Sequence, residues 1–241
     1  RIAEVASYLV PFMGSIYFGA MLIAIVLNIN LVIPAFSLII TDAFSGTAIA
    51  GGTFFGVLIY GVRRGAFSNE AGMGTESLVH GVAKVSNPVK QGLVAMTGPI
   101  FDTLIICTAT ALMILISGVW ETSASQGVTL TAEAFSSLLG SFGGFVLFAC
   151  VICFGLSTIF TYSYYGASCS RFLFGKLGMR FYIYLYIISI FVYSIVPIDI
   201  AINIADGAFA MMAIPTLVSA LWLAPKVMQA SKNYFKIIEG R

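Results

Sequence analysis

Six windows of the sequence are apolar over about the 20 residues that a helix needs to cross the hydrocarbon core of a membrane. Of the 241 residues, 59% are hydrophobic and 9% are charged, whereas a typical soluble domain has about 25% charged residues. The chain is therefore predicted to be an all-α integral membrane protein with a single transmembrane domain. The windows are residues 7–29, 46–62 (to 82 if the helix is broken), 92–118, 142–166, 181–197 and 207–225.

The basic residues alternate along the chain. Every Lys and Arg lies before the first window or after the second, fourth or sixth, whereas connections 30–45, 119–141 and 198–206 contain Asp or Glu and no basic residue. Because Lys and Arg accumulate in cytoplasmic connections, both ends of the chain are predicted to be cytoplasmic. Residues 128–140 show helical periodicity and are predicted to form a helix on the outer face. The net charge of +2 gives no indication of nucleic-acid binding.

The stretch "GVRRGAFSNEAGMG", residues 61–74, follows the second window directly. Its four glycines disfavour a helix by about 1 kcal/mol each. An unwound backbone inside a membrane is tolerated where it is buried in protein or lines a cavity. The stretch is therefore interpreted as a broken helix that holds a ligand, with an ordinary cytoplasmic loop after Arg63 as the alternative. If Arg63 and Arg64 lie within the membrane, they need a partner such as Asp102 or Glu70.

Polar side chains also lie inside the third and fourth windows. Asp102 either pairs with one of the two arginines after a bend at Pro99, or forms a cation or proton site, or locks the broken helix in place. In the fourth window, Ser157, Thr158, Thr161 and Tyr162 place hydroxyl groups on one helical face. Hard oxygen ligands of this kind suit Na⁺ better than a transition metal. The sequence contains no nucleophile–base pair, phosphate-binding loop or paired carboxylates, so an enzyme is not expected.

The segments "RRGAFSNEAGMG", "NPVKQGLVAM" and "FDTLIICTATAL" resemble the alanine or glycine:cation symporter family, the sodium:alanine symporters. The segments "LTAEAFSS", "LSTIFTYSYYG" and "IADGAFAMMAIP" match the same family in order, so the resemblance covers essentially the whole chain. It implies the leucine-transporter-type (LeuT) fold of two inverted five-helix repeats. The first window then corresponds to the fifth core helix and the other five to the second repeat. The chain would be the C-terminal half of a transporter, and the missing N-terminal helices would be its partners.

The resemblance also implies site residues. The family's broken sixth helix falls on residues 65–74, and Glu70 is expected to brace the break. The expected substrate contacts are Gly65, Phe67, Ser68, Asn69, Thr158 and Tyr162. The expected Na⁺ ligands are the carbonyl of Phe154 and the hydroxyls of Ser157 and Thr158. Many family members have Trp where this chain has Tyr162, so the pocket is expected to differ in size.

The function implied by this resemblance is Na⁺-coupled symport of a small neutral amino acid, alanine or glycine, with H⁺ as the alternative coupling ion. The expected location is the inner membrane of a prokaryotic cell, where the chain crosses the bilayer several times. A half-transporter without activity, serving as a structural or partner-binding membrane piece, is the alternative. An ion channel is disfavoured because the sequence has no ring of pore-lining charges and no filter repeat.

Overall fold

The computed structural model describes residues 2–44 and 53–239, and these residues are predominantly helical. Two compact units are described separately. Unit 1 comprises Arg1–Tyr60 and Thr103–Tyr164, and unit 2 comprises Gly61–Asp102 and Tyr165–Arg241. The helices are α1 (Ile2–Leu27), α2 (Ile29–Ala43), α3 (Thr53–Asn69), α4 (Thr75–His80), α5 (Pro88–Ala95), α6 (Thr97–Pro99), a π-helix (Ile100–Cys107), α7 (Thr108–Ser117), α8 (Val119–Thr122), α9 (Val128–Ile195) and α10 (Ile198–Glu239).

Several of these helices are long and apolar enough to cross a membrane. By length and composition they are Leu9–Leu27, Pro88–Ser117, Val128–Ile195 and Ile200–Ile238. The third contains the predicted window 142–166 and the window 181–197 as far as Ile195. Helix α3 covers the second window from Thr53 onward, while residues 46–52 of that window lie outside the described residues. The all-helical, multi-pass class is thus confirmed, and the count of six crossings stays a prediction.

Helix α9 is a continuous hydrogen-bonded run of 68 residues, but it is not straight. Gly175 has a left-handed φ of +71°, a conformation that costs glycine little because it has no Cβ. Beyond it, the ring of Tyr182 lies against Gly166, so that a Cβ at Gly166 would collide with the ring. Sixteen residues of straight helix would span about 24 Å, so the chain has folded back at Gly175 as a helical hairpin.

A second left-handed glycine bends α9 near its start. Gly140 has a φ of +65°, and a Cβ at Gly143 would collide with the backbone oxygen of Phe135. The first turns of α9 therefore form a separate short arm. Residues 128–140, where a helix on the outer face was predicted, are helical, and their location on the outer face stays a prediction.

The core of unit 1 forms where α1 packs against α7 and the first part of α9. Met21, Met113 and Phe135 are fully buried there. The ring of Tyr17 stacks on Phe135 with centroids 5.5 Å apart, and its hydroxyl lies 3.0 Å from Thr110 Oγ1. This hydrogen bond pairs two polar groups that would otherwise be costly to bury.

Candidate functional site

The predicted broken helix contains an interruption in unit 2, and it is shorter than expected. Helix α3 continues through Gly65 and ends at Asn69, and α4 begins at Thr75. The interruption thus covers residues 70–74, whereas the break was predicted at residues 65–74. Glycine at position 65 tolerates helical geometry, so its presence alone does not end the helix.

The interruption holds the backbone in left-handed conformations. Gly72 and Gly74 have φ angles of +77° and +93°, and Glu70 has +54°. Glu70 is the one non-glycine residue with a positive φ in the described part of the chain. Left-handed backbone at a side-chain-bearing residue costs of order 1–3 kcal/mol and concentrates at functional sites. The break therefore stores strain directly after the residues that the family resemblance predicts to contact the substrate.

Hydrogen bonds between residues close in sequence stabilise the interrupted segment. Asn69 Oδ1 accepts from the N–H of Ala71 at 2.9 Å, an Asx-type turn. The N–H of Met73 donates to the carbonyl of Glu70 at 3.0 Å, and Ser77 Oγ donates to the carbonyl of Gly74 at 2.7 Å. The side chain of Asn69 thus has a structural task in addition to the substrate contact predicted for it.

The two arginines before the break pair with an aspartate that lies 142 positions beyond Arg64. Arg63 Nη2 and Arg64 Nη2 both contact Asp206 Oδ2, the second at 3.2 Å. From the sequence, Asp102 and Glu70 were the candidate partners, and Asp206 was placed in the connection 198–206. The placement of Asp206 in a connection is corrected, since Asp206 lies eight residues inside α10. Asp206 was not among the candidate partners because it lies on a distant helix, far from the arginines along the chain.

Asp102 has a different partner. It lies in the π-helix, and its Oδ2 accepts a hydrogen bond of 2.5 Å from Ser68 Oγ. The pairing of Asp102 with an arginine is thus not observed. The contact instead connects the end of α3 to the π-helix. π-Helices are rare in proteins, and those that occur are often found at functional sites.

Phe67 is held between an arginine and a second aromatic ring. The guanidinium of Arg64 lies 5.7 Å from the centroid of the Phe67 ring, within cation–π range. The ring of Phe209 meets it edge-on with centroids 4.9 Å apart. Phe67 is therefore positioned by packing within unit 2.

Helix α10 runs parallel to the broken segment along its whole length. Arg63 contacts Asp206, Phe67 contacts Phe209, and a Cβ on Gly74 would lie 2.7 Å from Thr216 Oγ1. The two helical segments therefore run in the same direction. The contribution of α10 was missed from sequence; in retrospect, the acidic residue in "IADGAFAMMAIP", close to the start of an apolar window, was the available signal.

The predicted Na⁺ ligands lie in unit 1 on α9. Ser157 Oγ donates to the carbonyl oxygen of Phe154 at 2.9 Å, and Thr161 Oγ1 donates to the carbonyl of Ser157 at 2.8 Å. The carbonyl oxygen of Phe154 and the hydroxyl of Ser157, two of the three groups predicted to bind Na⁺, are thus neighbours. The same contacts are ordinary back-bonds of Ser and Thr in helices. The oxygen donors fit a hard cation.

The predicted site residues divide between the two units. Gly65, Phe67, Ser68 and Asn69 belong to unit 2. There Phe67 contacts Phe209 of α10 and Ser68 contacts Asp102 of the π-helix. Thr158 and Tyr162 belong to unit 1, together with the predicted Na⁺ ligands. Within each unit the structure brings the predicted residues onto one helix segment.

Comparison with known proteins identifies the family. A model of the sodium:alanine symporter family matches residues 1–240. The chain is 35% identical to the sodium/alanine symporter AgcS of Methanococcus maripaludis, covering 98% of this chain and 52% of that protein. It is 34% identical to a Bacillus subtilis protein named as a probable sodium/glutamine symporter, GlnT, over 97% of this chain and 49% of that protein.

A third relative is the sodium/proton-dependent alanine carrier protein of Bacillus sp. strain PS3, 33% identical over 68% of this chain and 40% of that protein. The chain thus spans about half the length of the curated relatives it matches. The match runs through both units and through the interrupted segment of α3 and α4. This chain belongs to the sodium:alanine symporter family, a family of membrane transporters.

Proposed function

We propose that this chain forms the part of a secondary active transporter that contains a broken substrate-facing helix, and that the transporter moves a small neutral amino acid together with Na⁺. The observation that carries the proposal is the interruption at residues 70–74, which separates α3 from α4 within a sequence of this family. In transporters of this kind, discontinuous helices offer backbone groups that bind substrate and ions near the middle of the membrane.

Two groups of residues are the proposed substrate contacts. Gly65, Phe67, Ser68 and Asn69 come from the end of α3, and Thr158 and Tyr162 come from α9. The half-buried ring of Tyr162 replaces the Trp that many family members have there, and this change of size and polarity sets which side chain fits. Alanine and glycine are the proposed substrates, and a relative named for glutamine makes glutamine the competitor to test.

The coupling ion is assigned to Phe154, Ser157 and Thr158. The 2.9 Å contact between Ser157 Oγ and the Phe154 carbonyl already brings two oxygens together on one turn. Na⁺ and substrate would each stabilise the same occluded state, so that each raises the affinity for the other by an equal factor. H⁺ is the alternative coupling ion, as in the name of the Bacillus sp. PS3 relative.

The proposed architecture is the LeuT-type fold, with residues 7–29 as its fifth core helix and the remaining crossings as its second inverted repeat. Helices corresponding to the other half of the relatives would complete the site. The parallel course of α3 and α10 supports this arrangement, because the second and sixth of six successive crossings run in the same direction. The proposed location is the prokaryotic inner membrane, with residues 1 and 241 both on the cytoplasmic side.

Uptake into proteoliposomes tests the function. The protein encoded by the complete gene is reconstituted, and uptake of labelled alanine is measured with an inward Na⁺ gradient, an inward H⁺ gradient, or neither. We expect accumulation only with the Na⁺ gradient, and competition by unlabelled glycine that exceeds competition by glutamine.

Three results would contradict parts of the proposal. Accumulation driven by the H⁺ gradient alone would replace Na⁺ as the coupling ion. Stronger competition by glutamine would move the substrate class to larger amino acids. The absence of uptake with every gradient and amino acid, from a protein that is folded in the liposomes, would favour the inactive half-transporter.

A further inference from the structure

The carboxylate of Asp206 is buried at the centre of a charge cluster in unit 2. Its side chain is 5% exposed, whereas those of Arg63 and Arg64 are 45% and 38% exposed. It is the single charged side chain that is buried among the residues whose exposure the structure describes. A carboxylate removed from water is costly unless it is paired and hydrogen-bonded, so its two arginines are required partners.

Two arginines on consecutive positions of one helix contact the same oxygen, Asp206 Oδ2. Consecutive residues on an α-helix point about 100° apart, because there are 3.6 residues in a turn. Both side chains reach one oxygen when that oxygen lies between their two directions. The pairing therefore fixes how α3 is rotated about its own axis relative to α10, in addition to joining the two helices.

A second contact between α3 and α10 lies one turn later, between Phe67 and Phe209. Phe67 follows Arg64 by three positions on α3, and Phe209 follows Asp206 by three positions on α10. Residues three apart lie on the same helical face. The two rings meet with centroids 4.9 Å apart, and Arg64 covers the ring of Phe67 at 5.7 Å. Two joined contacts fix the register of the helices as well as their rotation.

We propose that Asp206 is a positioning residue for the predicted substrate segment, residues 65–69. Through Arg63 and Arg64 it holds the end of α3 against α10, and through Arg64 it fixes the ring of Phe67. The proposal rests on the proposed function for the identity of the segment, and it adds a residue on α10 that governs the affinity of the site without contacting the substrate. A displacement of about 1 Å in a positioned group changes rates by as much as about 10²-fold.

The test uses the protein encoded by the complete gene, with Asp206→Asn as the principal variant and Asp206→Glu as the conservative one. Asp42→Asn is the matched control, because Asp42 is an exposed acidic residue of α2. The KM and maximal rate of alanine uptake are measured for each. We expect Asp206→Asn to raise the KM about 10-fold or more with a smaller fall in the maximal rate. Asp206→Glu should recover part of the affinity, and Asp42→Asn should leave both values unchanged.

A second measurement does not depend on transport. A single cysteine is introduced by Ala71→Cys, at an exposed position of the interrupted segment, in a background without the native cysteines. The rate of its reaction with a maleimide is compared with and without Asp206→Asn. We expect the reaction to become several-fold faster, because the end of α3 loses its attachment to α10.

The outcomes separate the two proposals. An unchanged KM in Asp206→Asn and an unchanged labelling rate would overturn the positioning role, even if the variant unfolded at a lower temperature. A protein without any uptake would contradict the proposed function, and the labelling rate would then decide the role of Asp206. Faster labelling would support that role, and an unchanged rate would overturn it.

Discussion

Ser157 is the residue on which the proposed ion site most depends, and its contact has two interpretations. Its hydroxyl donates to the carbonyl of Phe154 at 2.9 Å, which is both the usual back-bond of a helical serine and half of a cation site. Ser163 makes the same contact with the carbonyl of Phe160 at 2.7 Å. The two serines therefore differ in predicted function while sharing local geometry, which makes Ser163 a matched control.

Replacing Ser157 and Thr158 by alanine removes two predicted Na⁺ ligands. Each lost polar interaction is worth about 0.5–1.5 kcal/mol, so we expect the Na⁺ concentration for half-maximal uptake to rise roughly 2- to 10-fold for each. The Ser163→Ala variant should keep the original Na⁺ dependence. Uptake measured at varied Na⁺ and fixed alanine checks this, and an unchanged Na⁺ dependence in the double variant would remove both residues from the site.

At the scale of secondary-structure elements, the interruption between α3 and α4 depends on glycine at position 74. Its φ is +93°, and a Cβ would come within 2.7 Å of Thr216 Oγ1. Gly74→Ala therefore combines a strained backbone with a steric conflict. Each strained position costs of order 1–3 kcal/mol, so we expect the free energy of unfolding to fall by at least about 1 kcal/mol.

Thermal unfolding in detergent measures this loss against two other variants. Gly61→Ala is the control, because Gly61 lies in α3 with nothing within 4 Å of a Cβ, and alanine favours a helix. Adding Thr216→Ala to Gly74→Ala should recover the steric part and leave the backbone part. Equal unfolding temperatures for Gly74→Ala and Gly61→Ala would show that position 74 does not need glycine.

The sequence predicted that this element is interrupted, but not where. Four glycines indicated a break, yet glycine occurs in helical and left-handed backbone alike, so composition did not distinguish Gly65 from Gly74. Glu70 adopts a positive φ that its residue type disfavours. The turn hydrogen bonds that Asn69 Oδ1 accepts and the N–H of Met73 donates determine the exact bounds.

At the scale of the whole molecule, hydropathy and charge predicted the class of the protein, and long-range pairing determined the rest. The helical windows and their order follow from apolar length alone. The partner of Arg63 and Arg64 does not, because Asp206 becomes their neighbour only when α10 packs along α3. Since the arginines lie within α3, they no longer count as loop charges. The other basic residues still follow the alternation on which the predicted orientation rests.

That orientation predicts opposite accessibility for two exposed positions. Ser86 lies in a connection with basic residues, and Ala124 lies in a connection without them. In a background lacking Cys107, Cys150, Cys153 and Cys169, intact cells are treated with a maleimide that does not cross membranes. We expect Ala124→Cys to be labelled in intact cells and Ser86→Cys only after the cells are opened, because positive connections stay in the cytoplasm.

Labelling of both variants in opened cells is the control for exposure, since both side chains are exposed in the structure. Labelling of Ser86→Cys and protection of Ala124→Cys in intact cells would invert the topology. Labelling of both variants in intact cells would place both positions on the outer side of the membrane, with an even number of crossings between them. That result would contradict residues 92–118 as a membrane-spanning segment, because this window alone lies between them. With one crossing fewer, α3 and α10 would no longer be the second and sixth crossings, and their parallel course would no longer follow from the count.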